Sequence, residues 1–220
     1  FGAPQRGQMN FSWTMSPGAQ YLAPSAQHYM YRTKATRANN PGADGFVGAP
    51  SGVGYIYPDL INENDPAFAP TFANATSTAM SSLGLRIASV IGMSYTEASA
   101  TSLAQAPDVH GLVWLDFACY SGLGGNITFL TPSQVPVIGP RYQLWSGLFD
   151  NSTSLATKLL QQSTDPTSPD AYSIVIVHAW SNSYQDAMQV QALVDAQAPN
   201  QVDFVTVDEP FAHVQKYLKR

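Results

Sequence analysis

Short runs of β-forming residues alternate with helix-length amphipathic stretches along nearly the whole chain, and that alternation constrains its fold more than any other feature. Two strands joined through a helix must cross over to run side by side, so the pattern builds βα units and a parallel sheet. Strands are predicted at 10–14, 45–48, 85–91, 112–118, 135–138, 172–178 and 202–207. Helices are predicted at 16–33, 66–82, 94–104, 151–162, 183–197 and 208–218. The run Ile174-Val175-Ile176-Val177 is apolar on both sides, as suits a parallel strand covered by helices on both faces. Ser16 can cap the first helix, with Pro17 at its first position, and Asp208 can cap the last, with Pro210 in the opening turn. The expected fold class is α/β with a mainly parallel sheet, either an incomplete (β/α) barrel or a doubly wound sheet. Loop lengths do not separate the two.

A chain of 220 residues with 45% hydrophobic content buries about 70% of its unfolded surface, enough for one sizeable core, so a single α/β domain over 1–220 is expected. The chain begins at Phe1, and no charged segment followed by an apolar stretch comes after it. It therefore reads as a piece of a longer secreted polypeptide. No apolar run approaches the ~20 residues needed to span a bilayer, so no membrane span is expected. Charged residues make up 11% of the chain, against about 25% in an average soluble protein, and the net charge is -5. A surface so poor in lysine and arginine argues against nucleic acid as a partner. The one basic run, Arg32, Lys34 and Arg37, reads as a helix end.

Four N-x-S/T sequons, at Asn10, Asn74, Asn126 and Asn151, predict a glycosylated extracellular protein, with Asn10 the least suited because it falls in a strand. The single cysteine, Cys119, leaves no internal disulfide and reads as a buried, inert thiol. Neither a metal nor a cofactor is expected, since no His/Cys set has zinc spacing and no Gly-rich turn matches a phosphate loop or dinucleotide fingerprint. Gly122-Leu123-Gly124-Gly125 reads as a flexible turn, and Asn62-Glu63-Asn64-Asp65 as a solvated turn rather than a calcium loop. There is no G-x-S-x-G nucleophile elbow.

The segment Gly52-Val53-Gly54-Tyr55-Ile56-Tyr57-Pro58 concentrates unusual residue choices. Its glycines allow positive φ or close backbone approach, and Tyr55 and Tyr57, two residues apart, face the same way on an extended chain with flat rings and hydroxyl tips. That combination suits a sugar ring, though a turn whose tyrosines simply cover the core accounts for it equally well.

The segment resembles the signature of the G-x-G-Y-x-Y-P family of glycoside-hydrolase-like domains. Asn10 to Pro17, Leu22-Ala23-Pro24, Asp44 to Val47, Pro136 to Ile138 with Arg141, Leu144-Trp145 and Val177 to Trp180 support the resemblance, which spans roughly 10–215. It implies a domain of a secreted, often multi-domain protein that processes carbohydrate. No mechanism comes with it.

Parallel α/β folds collect their ligand sites at the C-terminal ends of the strands. That filter selects Asp44 and the tyrosine loop, Asp116 and Tyr120, Arg141, and His178 with Trp180. Glycoside hydrolysis uses two carboxyl groups, about 5–5.5 Å apart for retention and 6.5–9.5 Å for inversion. Asp116, set in an apolar strand, is the first candidate, with Asp44 and Asp59 as candidates for the second. Tyr55, Tyr57, Tyr120, His178, Trp180 and Arg141 are the expected substrate contacts: rings to stack on sugar C–H faces, imidazole to bond a hydroxyl, guanidinium to hold a carboxylate. Each has a structural counterpart, a partnered core aspartate or histidine or a structural ion pair. Two other functions fit the same residues. One is a non-catalytic carbohydrate-binding module. The other is a component of an extracellular filament, coat or matrix that reuses an enzyme-like domain for self-assembly or to contact other domains of its own polypeptide.

Overall fold

The structure is a computed structural model and describes residues 1–116 and 124–219. Its strands are β1 (Phe11–Met15), β2 (Asp44–Gly48), β3 (Ile87–Gly92), β4 (Gly111–Asp116), β5 (Ile127–Phe129), β6 (Pro136–Ile138), β7 (Pro140–Leu144) and β8 (Ile174–Val177). Its helices are α1 (Ala19–Leu22), α2 (Pro24–Thr33), α3 (Pro58–Asn64), α4 (Ala69–Ser82), α5 (Glu97–Ala104), α6 (Ser152–Leu160), α7 (Tyr184–Gln197) and α8 (Asp208–Tyr217).

Six strands form one sheet in the order β1-β2-β3-β4-β6-β5, parallel throughout except that β5 runs antiparallel to β6. β7 and β8 pair in parallel as a second sheet, and only Gly139 separates β6 from β7, so one stretch of chain passes from the first sheet to the second. From β1 to β4 the spatial order follows the chain order. A doubly wound sheet reverses its order at a switch point, whereas sequential winding belongs to an incomplete (β/α) barrel.

Side chains of the central strands alternate between two apolar faces, as the period of a strand requires. Phe46, Ala88, Val90, Leu112, Trp114 and Val137 pack on one face against Phe72 and Met80 of α4 and Leu103 of α5. Val47, Ile87, Val113 and Ile138 point the other way, onto Phe211 and Val214 of α8. In a closed barrel this second face would be the interior; here α8 fills it. A third cluster holds α6 and α7 to the β7–β8 pair through Leu144, Leu155, Leu159, Val190 and Val194. The Tyr184 ring at the start of α7 stacks on Trp13 of β1 at 5.8 Å, tying the third cluster to the first strand.

The predicted strands recur within two residues at their described ends, with one exception. Segment 202–207 joins no ladder, and Val207 has helical backbone angles; it is held beside β1 by side chains, Asn10 Nδ2 donating to Phe204 C=O at 2.8 Å and Val207 N donating to Ser12 Oγ at 2.8 Å. The helix expected over 16–33 is two helices, and Pro24, rather than Pro17, occupies a first helical position. Asp208 lies inside α8, whose cap residue is Val207 with no side-chain bond. β8 forms where expected, yet all four of its residues are only half-buried, because it pairs on one side alone. β5, β7 and α3 were not anticipated.

Gly111 is where α8 comes closest to the sheet: a Cβ there would lie 2.3 Å from Phe211 Cδ1. Gly111→Ala is therefore expected to lower stability by about 1–3 kcal/mol through overpacking, read by urea denaturation. Gly2→Ala, where an added Cβ meets nothing within 4 Å, is the control and should leave the midpoint unchanged.

Candidate active site

The signature segment leaves the C-terminal end of β2 and is bound to β3. Ser51 donates its backbone N–H to Ser89 C=O at 2.8 Å, while its hydroxyl accepts from Ile91 N at 3.0 Å and donates to Ile91 C=O at 3.2 Å. Gly52 has φ +89°, and a Cβ there would lie 2.4 Å from Thr76 Oγ1, so both conformation and space demand glycine. Gly54 meets open space. Tyr55 is 62% exposed and stands edge-on to the half-buried Tyr57, ring centres 6.2 Å apart.

The end of the motif starts a helix. Tyr57 is the cap residue of α3 and Pro58 opens its first turn, a position where proline loses no hydrogen bond. The next residue, Asp59, is thereby turned inward: it is 6% exposed, and its Oδ2 accepts from Ser94 N at 3.0 Å. An apolar groove of about 430 Å³ runs alongside, between Tyr57, Leu60, Ile61 and Phe68.

Asp59 reaches the end of β3. A Cβ on Gly92 would lie 3.0 Å from Asp59 Oδ1 and 2.7 Å from Trp114 Cζ2, so glycine is what lets both side chains close over this strand end. Gly92 is the register partner of Asp116, the last residue of β4. Asp116 is half-buried and lies on the same sheet face as Trp114, two residues before it. Asp59 and Asp116 thus flank Gly92 from two directions. Tyr95 stands edge-on to the Trp114 ring at 5.5 Å.

In the second sheet, another group gathers at the ends of β7 and β8. His178 is 5% exposed, stacks on Trp145 with ring centres 4.0 Å apart, and its Nε2 donates to Gln143 Oε1 at 2.8 Å. Burial lowers the His178 pKa below the ordinary imidazole value, so the ring is neutral at pH 7. Trp180, 73% exposed, meets Trp145 edge-on at 5.5 Å, and the exposed Phe149 packs against Trp145 at 5.8 Å.

Other expected site residues lie elsewhere. Asp44 opens β2 at the N-terminal end of the sheet, opposite Phe11, and so fails the positional filter that selected it. Its oxygens accept from Trp13 Nε1 at 2.7 Å and Ala35 N at 2.6 Å, with Arg6 Nε at 3.6 Å, the pattern of a partnered structural carboxylate. Arg141 lies near the start of β7, away from the strand ends that carry His178. It pairs with Asp170 at 3.0 Å and donates to Gly125 C=O at 3.1 Å. Tyr120 and Cys119 lie outside the described residues. Asn10 commits both ends of its amide, accepting from Ala43 N at 2.9 Å and donating to Phe204, while Asn74, Asn126 and Asn151 are exposed. Asn151 also caps α6. Among the described residues no group of three or more His, Cys, Asp or Glu is placed to hold a metal, and no helix is long and apolar enough to cross a membrane.

The winding and the signature segment belong to a mainly parallel α/β domain with carboxyl and aromatic side chains at its strand ends. Residues 1–215 match the family described as "GxGYxYP putative glycoside hydrolase C-terminal domain", and the chain belongs to that family. Among solved structures, the fold matches the crystal structure of a putative hydrolase from Bacteroides thetaiotaomicron VPI-5482 with a TM-score of 0.87 over 99% of this chain, at 23% sequence identity. The chain spans 41% of that protein's length. Comparison with curated proteins gave no match.

His178 supplies a pH test. Its folded pKa is depressed, so below about 6.5 the unfolded chain takes up the proton first and stability falls as pH falls. Urea midpoints measured from pH 8 to pH 5 should decline in the wild type, and His178→Phe should flatten that decline. Equal declines in both would contradict the assignment.

Proposed function

We propose that the domain hydrolyses glycosidic bonds of extracellular carbohydrate, with Asp116 as proton donor and Asp59 as base. The observation that carries this reading is that Gly92 has Asp116 as its register partner and Asp59 Oδ1 beside it, the family signature delivering Asp59 through its own terminal proline. Tyr57 and the groove beside it supply apolar surface for a sugar's C–H face, and Trp145 and Trp180 supply more at the ends of the β7–β8 pair. The exposed sequons at Asn74, Asn126 and Asn151 support a secretory location.

A second reading is favoured by the exposure of Trp180 and Phe149: a module that binds carbohydrate on this aromatic face without cleaving it. The two readings separate experimentally. The hydrolase reading predicts release of sugar from a panel of aryl glycosides and oligosaccharides, with Asp116→Asn and Asp59→Asn each reducing the rate by about 10²–10⁴-fold while both variants stay folded. Binding that depends on Trp180 but is never followed by cleavage would leave the module reading in place.

A further inference from the structure

Beside Gly92 two buried polar atoms of opposite hydrogen-bonding sense have no hydrogen-bond partner among the described residues: Trp114 Nε1, a donor, and Asp59 Oδ1, an acceptor. Trp114 is fully buried and Asp59 nearly so. Buried groups of this kind are almost always paired, with protein or with ordered water. Both residues crowd the same strand end. The point where a Gly92 Cβ would stand is 3.0 Å from Asp59 Oδ1 and 3.0 Å from Trp114 Cε2, the ring carbon bonded to Nε1. A cation would satisfy the carboxylate but not the indole N–H, and an anion the reverse. A hydroxyl satisfies both, accepting one hydrogen bond and donating another. Full burial of the indole favours the smallest molecule that carries one.

We propose that an ordered water bridges Trp114 Nε1 and Asp59 Oδ1, and that it is the water the carboxylate pair activates. The second half rests on the hydrolase reading. Asp59 removes a proton from this water as its oxygen bonds to the anomeric carbon. The bond from that carbon to the leaving oxygen breaks, and the leaving oxygen takes the proton of Asp116. Asp59 ends protonated and Asp116 ionised, and proton exchange with solvent restores both. Trp114 is a positioning residue: by occupying one lone pair of the water it aims the other at the sugar. Direct attack by water makes the reaction inverting.

A high-resolution crystal structure of the protein tests the first half. Water density within about 3.2 Å of both Trp114 Nε1 and Asp59 Oδ1 is expected. An empty site, or a direct Trp114–Asp59 hydrogen bond, would overturn the proposal. Trp114→Phe tests the second half: it should lose the water and reduce kcat by up to about 100-fold with KM unchanged. Proton NMR of the first-formed wild-type product should show the inverted anomer. A variant that loses the water at full kcat, or a retained anomer, sinks the catalytic role. Should the wild type cleave nothing, the hydrolase reading and the water's catalytic role fall together, while the density still decides whether the bridge exists.

Discussion

The parallel register between β3 and β4 is the constraint on which the rest of this structure depends. Over six residues it sets Ile87 beside Gly111 and Gly92 beside Asp116, so it fixes both faces of the core and the composition of the strand ends. Slipping it by one residue would carry Trp114 and Asp116 to the α8 face and Val113 to the other. Glycine stands at both extremes of this pair for the same reason, close approach by a large ring. At Gly111 the ring is Phe211 of α8, and at Gly92 it is Trp114. The first contact closes the inner face of the sheet. The second leaves room for Asp59 beside the strand end whose register partner is Asp116.

The motif segment acts on this frame as a delivery device rather than as a flat platform. Ser51 and Gly52 turn the chain and hold it on β3, and Tyr57-Pro58 starts a helix whose first turn carries Asp59 inward. Tyr55 and Tyr57 stand edge to face rather than side by side, one exposed and the other half-buried, so they do not offer a single surface. The more open aromatic surface belongs to Trp180 and Phe149, set on the Trp145–His178 stack. Membership of the G-x-G-Y-x-Y-P family covers nearly the whole chain, whereas the likeness to the Bacteroides protein concerns the fold.

Much of the architecture was legible in the sequence because long apolar runs and helix-period stretches reflect burial directly. Ile87 to Gly92 and Gly111 to Asp116 are strands that helices cover, and they read as such. β7 did not, because Pro-Arg-Tyr-Gln-Leu buries a glutamine whose purpose, a bond to His178, is invisible without the neighbouring strand. The 202–207 segment read as a strand because its apolar residues are real core contacts; side chains of β1, rather than a ladder, hold it. At the site, Asp116 and Asp59 were selected by position, but nothing local revealed that Gly92 and Trp114 join them. Asp44 was misplaced by a few residues of chain. It opens β2 rather than following it, and in a parallel sheet that is the opposite edge of the molecule. Trp145 lay within a stretch already linked to the family, yet its role as the base for His178 and Trp180 comes only from the pairing of β7 with β8.

The central claim is that the two carboxyl groups flanking Gly92 form one reaction centre. The most direct test is a crystal structure of the protein with an oligosaccharide bound, from which the separation of the Asp59 and Asp116 carboxyl groups is read. A separation of about 6.5–9.5 Å, with an anomeric carbon between the two groups, is the result this account predicts. A sugar seated elsewhere, with the Asp59 carboxylate sealed away from it, would contradict it.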